Sequence, residues 1–97
     1  MSELKIFLSG YFHQDWLLEA DEPDGMISLF LASQPDRATT KGIAEQIHNL
    51  LEANGDQGEG AIERELYEVL GCYYDPKADG MSVVDWLTKL ADRLERY

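Results

Sequence analysis

The chain of 97 residues has little cysteine, little proline and few basic side chains. Its one cysteine, Cys72, cannot form an internal disulfide, which excludes a disulfide scaffold and fits a reducing compartment. Only 8 lysines and arginines oppose 19 aspartates and glutamates, so the formal net charge is −11. A surface this acidic repels nucleic acids and anionic lipids and attracts basic surfaces. We therefore expect a basic macromolecule as the partner, with no direct contact to nucleic acid or membrane.

Long apolar runs are also missing from the sequence. The apolar stretch at the start reaches only Gly10, which is too short for a signal peptide or a membrane span, and its first charge is acidic. We therefore expect a cytoplasmic protein. The apolar fraction of 44% is still sufficient for a packed interior, and 97 residues fit one core. The prediction is a single domain over residues 1–97.

Convincing period-two alternation is absent too, and the spacing of apolar residues instead predicts helices almost throughout. The predicted helices run from about Leu4 to between Gly10 and Phe12, from Pro23 to before Pro35, from about Asp36 to Ala53, from the end of a loop over residues 55–60 to a C-cap at Gly71, and from Ser82 onward. The fold class is therefore all-α, a single compact bundle of four to five helices.

Three of these helices carry more specific expectations. The second is almost entirely apolar between Met26 and Leu31, so we expect it to be buried on most sides at the centre of the bundle. The fourth places Ile62, Leu66, Val69 and Leu70 on one apolar face. In the last, Ser82 and Asp85 form a pair that resembles a capping box, and an apolar stripe follows.

The segment from Asp75 to Gly80 invites comparison with a calcium-binding loop, because acids at its first and fifth positions precede a glycine. The third position is Lys77, however, and the twelfth is Trp86, where calcium requires a bidentate glutamate. We therefore predict a turn that positions the last helix, with Gly80 at positive φ. No metal or cofactor is expected.

Two histidines raise the question of catalysis or metal binding. His13 could be a general base oriented by Asp15, and His48 could join them as a metal ligand, but two histidines without a cysteine pair or a His-Glu-x-x-His spacing are weak evidence. We instead interpret residues 13–15 as a hydrogen-bonded turn in which Asp15 caps the turn at Trp16, and His48 as a rim residue.

Ser82 also invites comparison with the serine of acyl and peptidyl carrier proteins, which are small, acidic and helical and attach phosphopantetheine at a helix start. Only one helix follows Ser82, and the Asp-Ser-Leu signature of carriers is absent. Ser82 is therefore predicted to be a plain N-cap.

Acidic residues crowd beside aromatic ones in two parts of the chain. Like charges at neighbouring positions or at i,i+4 in a helix cost about 0.2–0.5 kcal/mol each in the free protein, and a cationic partner would relieve that cost. Aromatic rings beside acids suit lysine and arginine through cation–π attraction and ion pairing, although an ordinary solvated face is the alternative. The predicted partner-binding residues are Asp15, Glu19, Asp21, Glu22, Asp24, Glu59, Glu63, Tyr73, Tyr74 and Asp75.

Two motifs carry a resemblance to a known family. The first motif is Tyr11-Phe12-His13-Gln14-Asp15-Trp16, and the second is Gly71-Cys72-Tyr73-Tyr74-Asp75-Pro76, followed by Gly80 and Trp86-Leu87. With them the chain resembles, over nearly its whole length, the immunity proteins of bacterial contact-dependent growth-inhibition systems.

The resemblance implies a small helical cytoplasmic protein without enzymatic activity. It implies that the protein binds the toxic C-terminal domain of a large surface-displayed exoprotein, which a neighbouring cell delivers. Such toxin domains are often nucleases, including tRNases, with cationic substrate-binding surfaces. Because these immunity proteins neutralise different toxins, we expect the shared motifs to maintain the fold and other residues to select the partner.

Two other functions remain open at this point. One is an acidic nucleic-acid mimic that blocks a DNA- or RNA-binding protein, which would bind several basic proteins with little discrimination. The other is a small enzyme that uses His13 and Asp15. Whether Trp16 and Trp86 belong to the core or to an interface is also open.

Overall fold

The computed structural model describes residues 3–18, 22–54 and 58–97. Within these ranges the chain forms no strand and five α-helices, which are α1 (Glu3–Tyr11), α2 (Pro23–Ala32), α3 (Arg37–Ala53), α4 (Glu59–Arg64) and α5 (Val83–Glu95). Two 3₁₀ turns cover Trp16–Leu18 and Pro76–Asp79, and a π-helical turn, Glu65–Val69, continues α4. The all-α prediction of four to five helices is confirmed. None of the described helices is long and apolar enough to cross a membrane.

Local sequence signals mark several helix ends as predicted. The Ser82 Oγ accepts a hydrogen bond from the Asp85 backbone N–H at 3.0 Å and so caps α5. Pro23 occupies the first turn of α2, where a missing N–H costs nothing. Gly71 follows the π-helical turn with φ 71°, a left-handed conformation that glycine adopts without strain.

The core lies mainly between α3 and α5, which make the most extensive contact between helices, and α1 packs on α3 beside them. α5 contributes a complete apolar stripe, in which the buried residues are Val83, Trp86, Leu87, Leu90, Ala91 and Leu94. Each large apolar side chain of this kind contributes about 1.5–3 kcal/mol when it leaves water. The stripe therefore makes α5 the principal element of the core.

The prediction that α2 is the central helix is wrong. Met26, Ile27 and Phe30 are buried, but Leu29 is 46% exposed. The main neighbour of α2 is α1, so α2 lies against one side of the bundle. A short helix that packs through one face leaves its opposite face in water, whatever the residues there are.

The predicted apolar face of the fourth helix is also only partly correct. Ile62, Leu66 and Leu70 are buried, whereas Val69 is exposed. The Leu70 backbone N–H donates to the Glu65 carbonyl at 2.9 Å, which is the bonding of a π-helix. The wider turn rotates Val69 away from the position that α-helical spacing predicts.

Of the predicted loop over residues 55–60, residues 55–57 lie outside the described residues. α4 begins within the predicted loop, at Glu59.

Candidate functional site

The two motifs meet in one buried aromatic cluster. The Tyr73 backbone N–H donates to the Phe12 carbonyl at 2.8 Å and joins the second motif to the first. The Phe12 ring lies 5.9 Å from Trp16, 6.0 Å from Tyr74 and 5.2 Å from Trp86, measured between ring centroids. Both tryptophans are therefore core residues. Aromatic pairs at these distances add about 0.5–1.5 kcal/mol each beyond burial, which agrees with a motif that maintains the fold.

The turn between α1 and the first 3₁₀ turn is organised by His13. Its Nδ1 accepts a hydrogen bond from the Asp15 backbone N–H at 3.0 Å, and its carbonyl accepts one from the Trp16 N–H at 3.1 Å. The His13 ring and carbonyl therefore both hold this turn, and the capping role predicted for the Asp15 side chain stays a prediction. Because Nδ1 accepts this backbone hydrogen bond, the lone pair of that nitrogen is engaged within the turn.

The second motif continues into a turn that fixes two carboxylates. The Asp75 Oδ1 accepts hydrogen bonds from the Lys77 N–H at 3.1 Å and from the Tyr67 hydroxyl at 2.9 Å. The Tyr74 hydroxyl donates to the Asp79 Oδ2 at 2.8 Å. Gly80 ends the turn with φ 77°, so the turn predicted in place of a calcium loop is confirmed.

The arrangement favours the protonated form of both tyrosines. Burial, followed by the hydrogen bond to Asp75, raises the pKa of Tyr67 well above its usual value. Burial and the bond to Asp79 raise the pKa of Tyr74 in the same way. Both hydroxyls therefore keep their protons at physiological pH and can donate these hydrogen bonds.

A groove of about 590 Å³ opens between the first 3₁₀ turn, the start of α2 and this second turn. We call it the acidic groove, and it is lined by Trp16, Leu17, Glu22, Pro23, Tyr73, Tyr74, Asp75, Ala78 and Asp79. Among these described lining residues three are acids and none is a base. A smaller depression of about 210 Å³ shares Glu22 and Asp79 with the groove and adds Asp24 and Lys89.

Three apolar side chains near this groove are turned to solvent. Leu17 is 63% exposed, Leu18 is 85% exposed and Tyr73 is 64% exposed. We call these three residues the apolar lip. Trp16 precedes Leu17 and Leu18 in the same 3₁₀ turn but points into the core. A turn of three residues cannot bury three successive side chains, which explains why two of them remain outside.

The structure places half of the predicted partner-binding residues around the groove. Glu22, Tyr73, Tyr74 and Asp75 line it, and Asp24 lines the adjoining depression. Tyr74 is buried, so Tyr73 alone of the two predicted rings is exposed.

The remaining predicted residues are more scattered. Asp15 is exposed on the His13 turn. Glu63 lies 2.9 Å from the Lys77 Nζ, so its charge is compensated within the protein. Glu19, Asp21 and the side chain of Glu59 lie outside what the structure describes. Sequence reasoning missed Leu17, Leu18 and Asp79, and the run of three apolar residues beside an acidic segment was the only available signal for the two leucines.

Elsewhere, His48 lies at the rim as predicted, with Nε2 2.8 Å from the Glu95 Oε1 and half of its side chain exposed. In the described part of the chain, no cluster of three or more histidine, cysteine or acidic side chains could hold a metal ion. The Asp24 carboxylate lies 3.4 Å from the Arg93 Nη1, which ties the start of α2 to α5.

A family model described as CdiI immunity protein matches residues 1–94, and so covers both motifs and every residue of the acidic groove. Searches of curated proteins and of solved structures found no match.

Proposed function

Because the chain belongs to the CdiI immunity protein family, we propose that it protects its cell by binding the C-terminal toxin domain of a contact-dependent growth-inhibition exoprotein. The family match over residues 1–94 carries this proposal. The protein acts in the cytoplasm by forming a tight one-to-one complex, and it inhibits by occupying a surface of the toxin. No catalytic step is needed.

The charge of the protein supports a finer proposal, that the toxin is a nuclease such as a tRNase. A nuclease needs a cationic surface to bind the phosphate backbone of its substrate. A partner with net charge −11 is attracted to such a surface and competes with the nucleic acid for it. Covering or flanking that surface would block the entry of substrate.

The acids that the sequence analysis selected contribute unequally to this attraction. Asp15, Glu22 and Asp75 are exposed, and we propose that they contribute directly to binding. Glu63 and Asp24 each have a basic partner within the protein, so we expect smaller effects from them. Glu19, Asp21 and Glu59 stay predictions.

Growth rescue tests the proposal. The exoprotein C-terminal domain encoded next to this gene is expressed in a bacterium with this protein, with an unrelated acidic helical protein, or alone. We expect growth only with this protein, and we expect it to give no protection against a toxin domain from another system. Equal rescue by the unrelated acidic protein, or no rescue by well-folded protein, would contradict specific immunity and favour the nucleic-acid mimic.

A cleavage assay tests the finer proposal separately. The purified toxin domain should degrade RNA or DNA, and an equimolar amount of this protein should stop the reaction. A toxin that leaves nucleic acids intact but is still neutralised would show that the nuclease assignment is wrong and the immunity function correct.

A further inference from the structure

We propose that the acidic groove and the apolar lip together form the toxin-binding face, and that the groove accepts an arginine side chain of the toxin. This inference rests on the proposed function, because it names the surface through which neutralisation occurs. It goes beyond the residues selected from the sequence by placing Leu17 and Leu18 beside Tyr73 at the centre of the interface.

The apolar lip is the first argument for this face. Scattered exposed apolar residues are normal, and Leu29 and Val69 are examples on other elements. The three lip residues differ because two of them, Leu17 and Tyr73, line one concave surface and Leu18 follows in the same turn. Exposed apolar groups beside a pocket with a charged rim are typical of the centre of an interface.

The fixed carboxylates are the second argument. The Tyr67 and Tyr74 hydroxyls hold Asp75 and Asp79 in position before any partner arrives. Binding to them therefore costs less side-chain entropy than binding to mobile surface acids. Two fixed carboxylates in one groove also favour arginine, because its planar guanidinium has five N–H donors in fixed directions and can donate to more than one acceptor at once.

The charge of the lining and the position of Tyr73 indicate the chemistry of the occupant. The described lining of the groove carries Glu22, Asp75 and Asp79 without a base, so a cation is the complementary group. The exposed Tyr73 ring offers a face on which a guanidinium can stack, and arginine makes this contact more often than lysine. The occupant is thus an arginine on a toxin segment with apolar neighbours that cover the lip.

Exposed-residue variants test the face. Tyr73→Ala, Leu18→Ala and Glu22→Gln remove one contact each, and Leu29→Ala and Glu52→Gln are matched controls on α2 and α3. We expect each lip variant to weaken toxin binding about tenfold or more and Glu22→Gln to slow association, while both controls stay within about twofold of the wild type. Affinity and rates are measured with the toxin domain immobilised, and unchanged urea midpoints show that the variants are folded.

The outcomes separate this inference from the proposed function. If the wild type binds the toxin and the lip variants and Glu22→Gln bind it as well as the wild type does, the proposed face is wrong, and the proposed function still stands. Absence of wild-type binding would overturn the proposed function and the face together.

Arginine labelling tests the occupant. Phenylglyoxal modifies arginines, and acetylation with an N-hydroxysuccinimide ester modifies lysines, so the toxin domain is labelled with each reagent free and in complex. We expect one toxin arginine to be protected by the wild type and, at the same concentrations, less protected by the more weakly binding Tyr73→Ala, and we expect arginine-modified toxin to lose binding. Protection of lysines alone would overturn the assignment of arginine.

Discussion

At the scale of single residues, Cys72 shows how burial determines chemistry. Its side chain is 3% exposed, and its Sγ–H donates to the Tyr74 carbonyl at 3.5 Å. Burial raises the pKa of the Cys72 thiol to about 12, against an ordinary value of 9.0. The reactive thiolate is therefore suppressed at physiological pH, and the second motif uses its cysteine as a small packing residue.

This raised pKa predicts a loss of stability in alkali. The thiol of the unfolded chain loses its proton near pH 9, whereas the folded one keeps it to about pH 12. The stabilising effect is therefore complete below about pH 9 and falls as the pH rises toward 12, by up to about 1.4 kcal/mol per pH unit. Urea midpoints at about pH 8 and about pH 10 should separate more in the wild type than in Cys72→Ala. The raised pKa values of Tyr67 and Tyr74 also reduce stability in alkali, but they do so in both proteins. If the urea midpoint fell by the same amount between the two pH values in the wild type and in Cys72→Ala, the predicted contribution of the Cys72 thiol would be wrong.

At the scale of elements, α5 depends on its first turn. Ser82 caps the helix, and the turn that ends at Gly80 delivers the chain to it. α5 in turn supplies Trp86 to the aromatic cluster that joins the two motifs. The position of the acidic groove therefore depends on where this helix begins.

Removing the cap should destabilise the protein. We expect Ser82→Ala to lower the free energy of unfolding by about 1 kcal/mol, because the Asp85 N–H loses its acceptor. Thr88→Ala is the matched control, since it removes a hydroxyl from the exposed side of the same helix, where Thr88 donates to the Val84 carbonyl one turn earlier. Thermal unfolding followed by circular dichroism measures both, and an equal effect of the two substitutions would contradict a specific role for the cap.

The elements also show what local sequence predicts well. The N-cap at Ser82, the helix end at Gly71 and the positive φ at Gly80 were predicted, because each depends on a few neighbouring residues. The central position of α2 and the burial of Val69 were wrong, because each depends on other parts of the chain. Apolar composition shows what a helix can bury, and only its neighbours decide how much of it is buried.

At the scale of the whole molecule, net charge is the dominant feature. A charge of −11 on 97 residues makes the folded state repel itself, and unfolding relieves part of that repulsion. Salt screens such interactions, since the Debye length falls from about 30 Å at 0.01 M to about 8 Å at 0.15 M.

We therefore expect sodium chloride to stabilise the free protein and to slow its association with a basic toxin. The thermal midpoint should rise between about 0.01 M and about 0.15 M salt, while the association rate constant falls over the same range. In the double variant Glu45→Gln with Glu52→Gln, which removes two exposed acids of α3, the rise should be smaller. A midpoint that falls with salt would show that attractive ion pairs outweigh the net repulsion.

The sequence by itself determined the helical class, the acidic surface and, through two motifs, the family, because composition and local patterns are sufficient for these. Glu22, Tyr73 and Asp75 were also predicted from the sequence to be partner-binding residues, from their residue type and their neighbours. Only the tertiary structure decided that Trp16 is core while Leu17 and Leu18 are exposed, and that Asp79 joins residues from two distant segments around one groove. Which side chains share a surface depends on contacts between residues far apart in the chain, and no local pattern records those contacts.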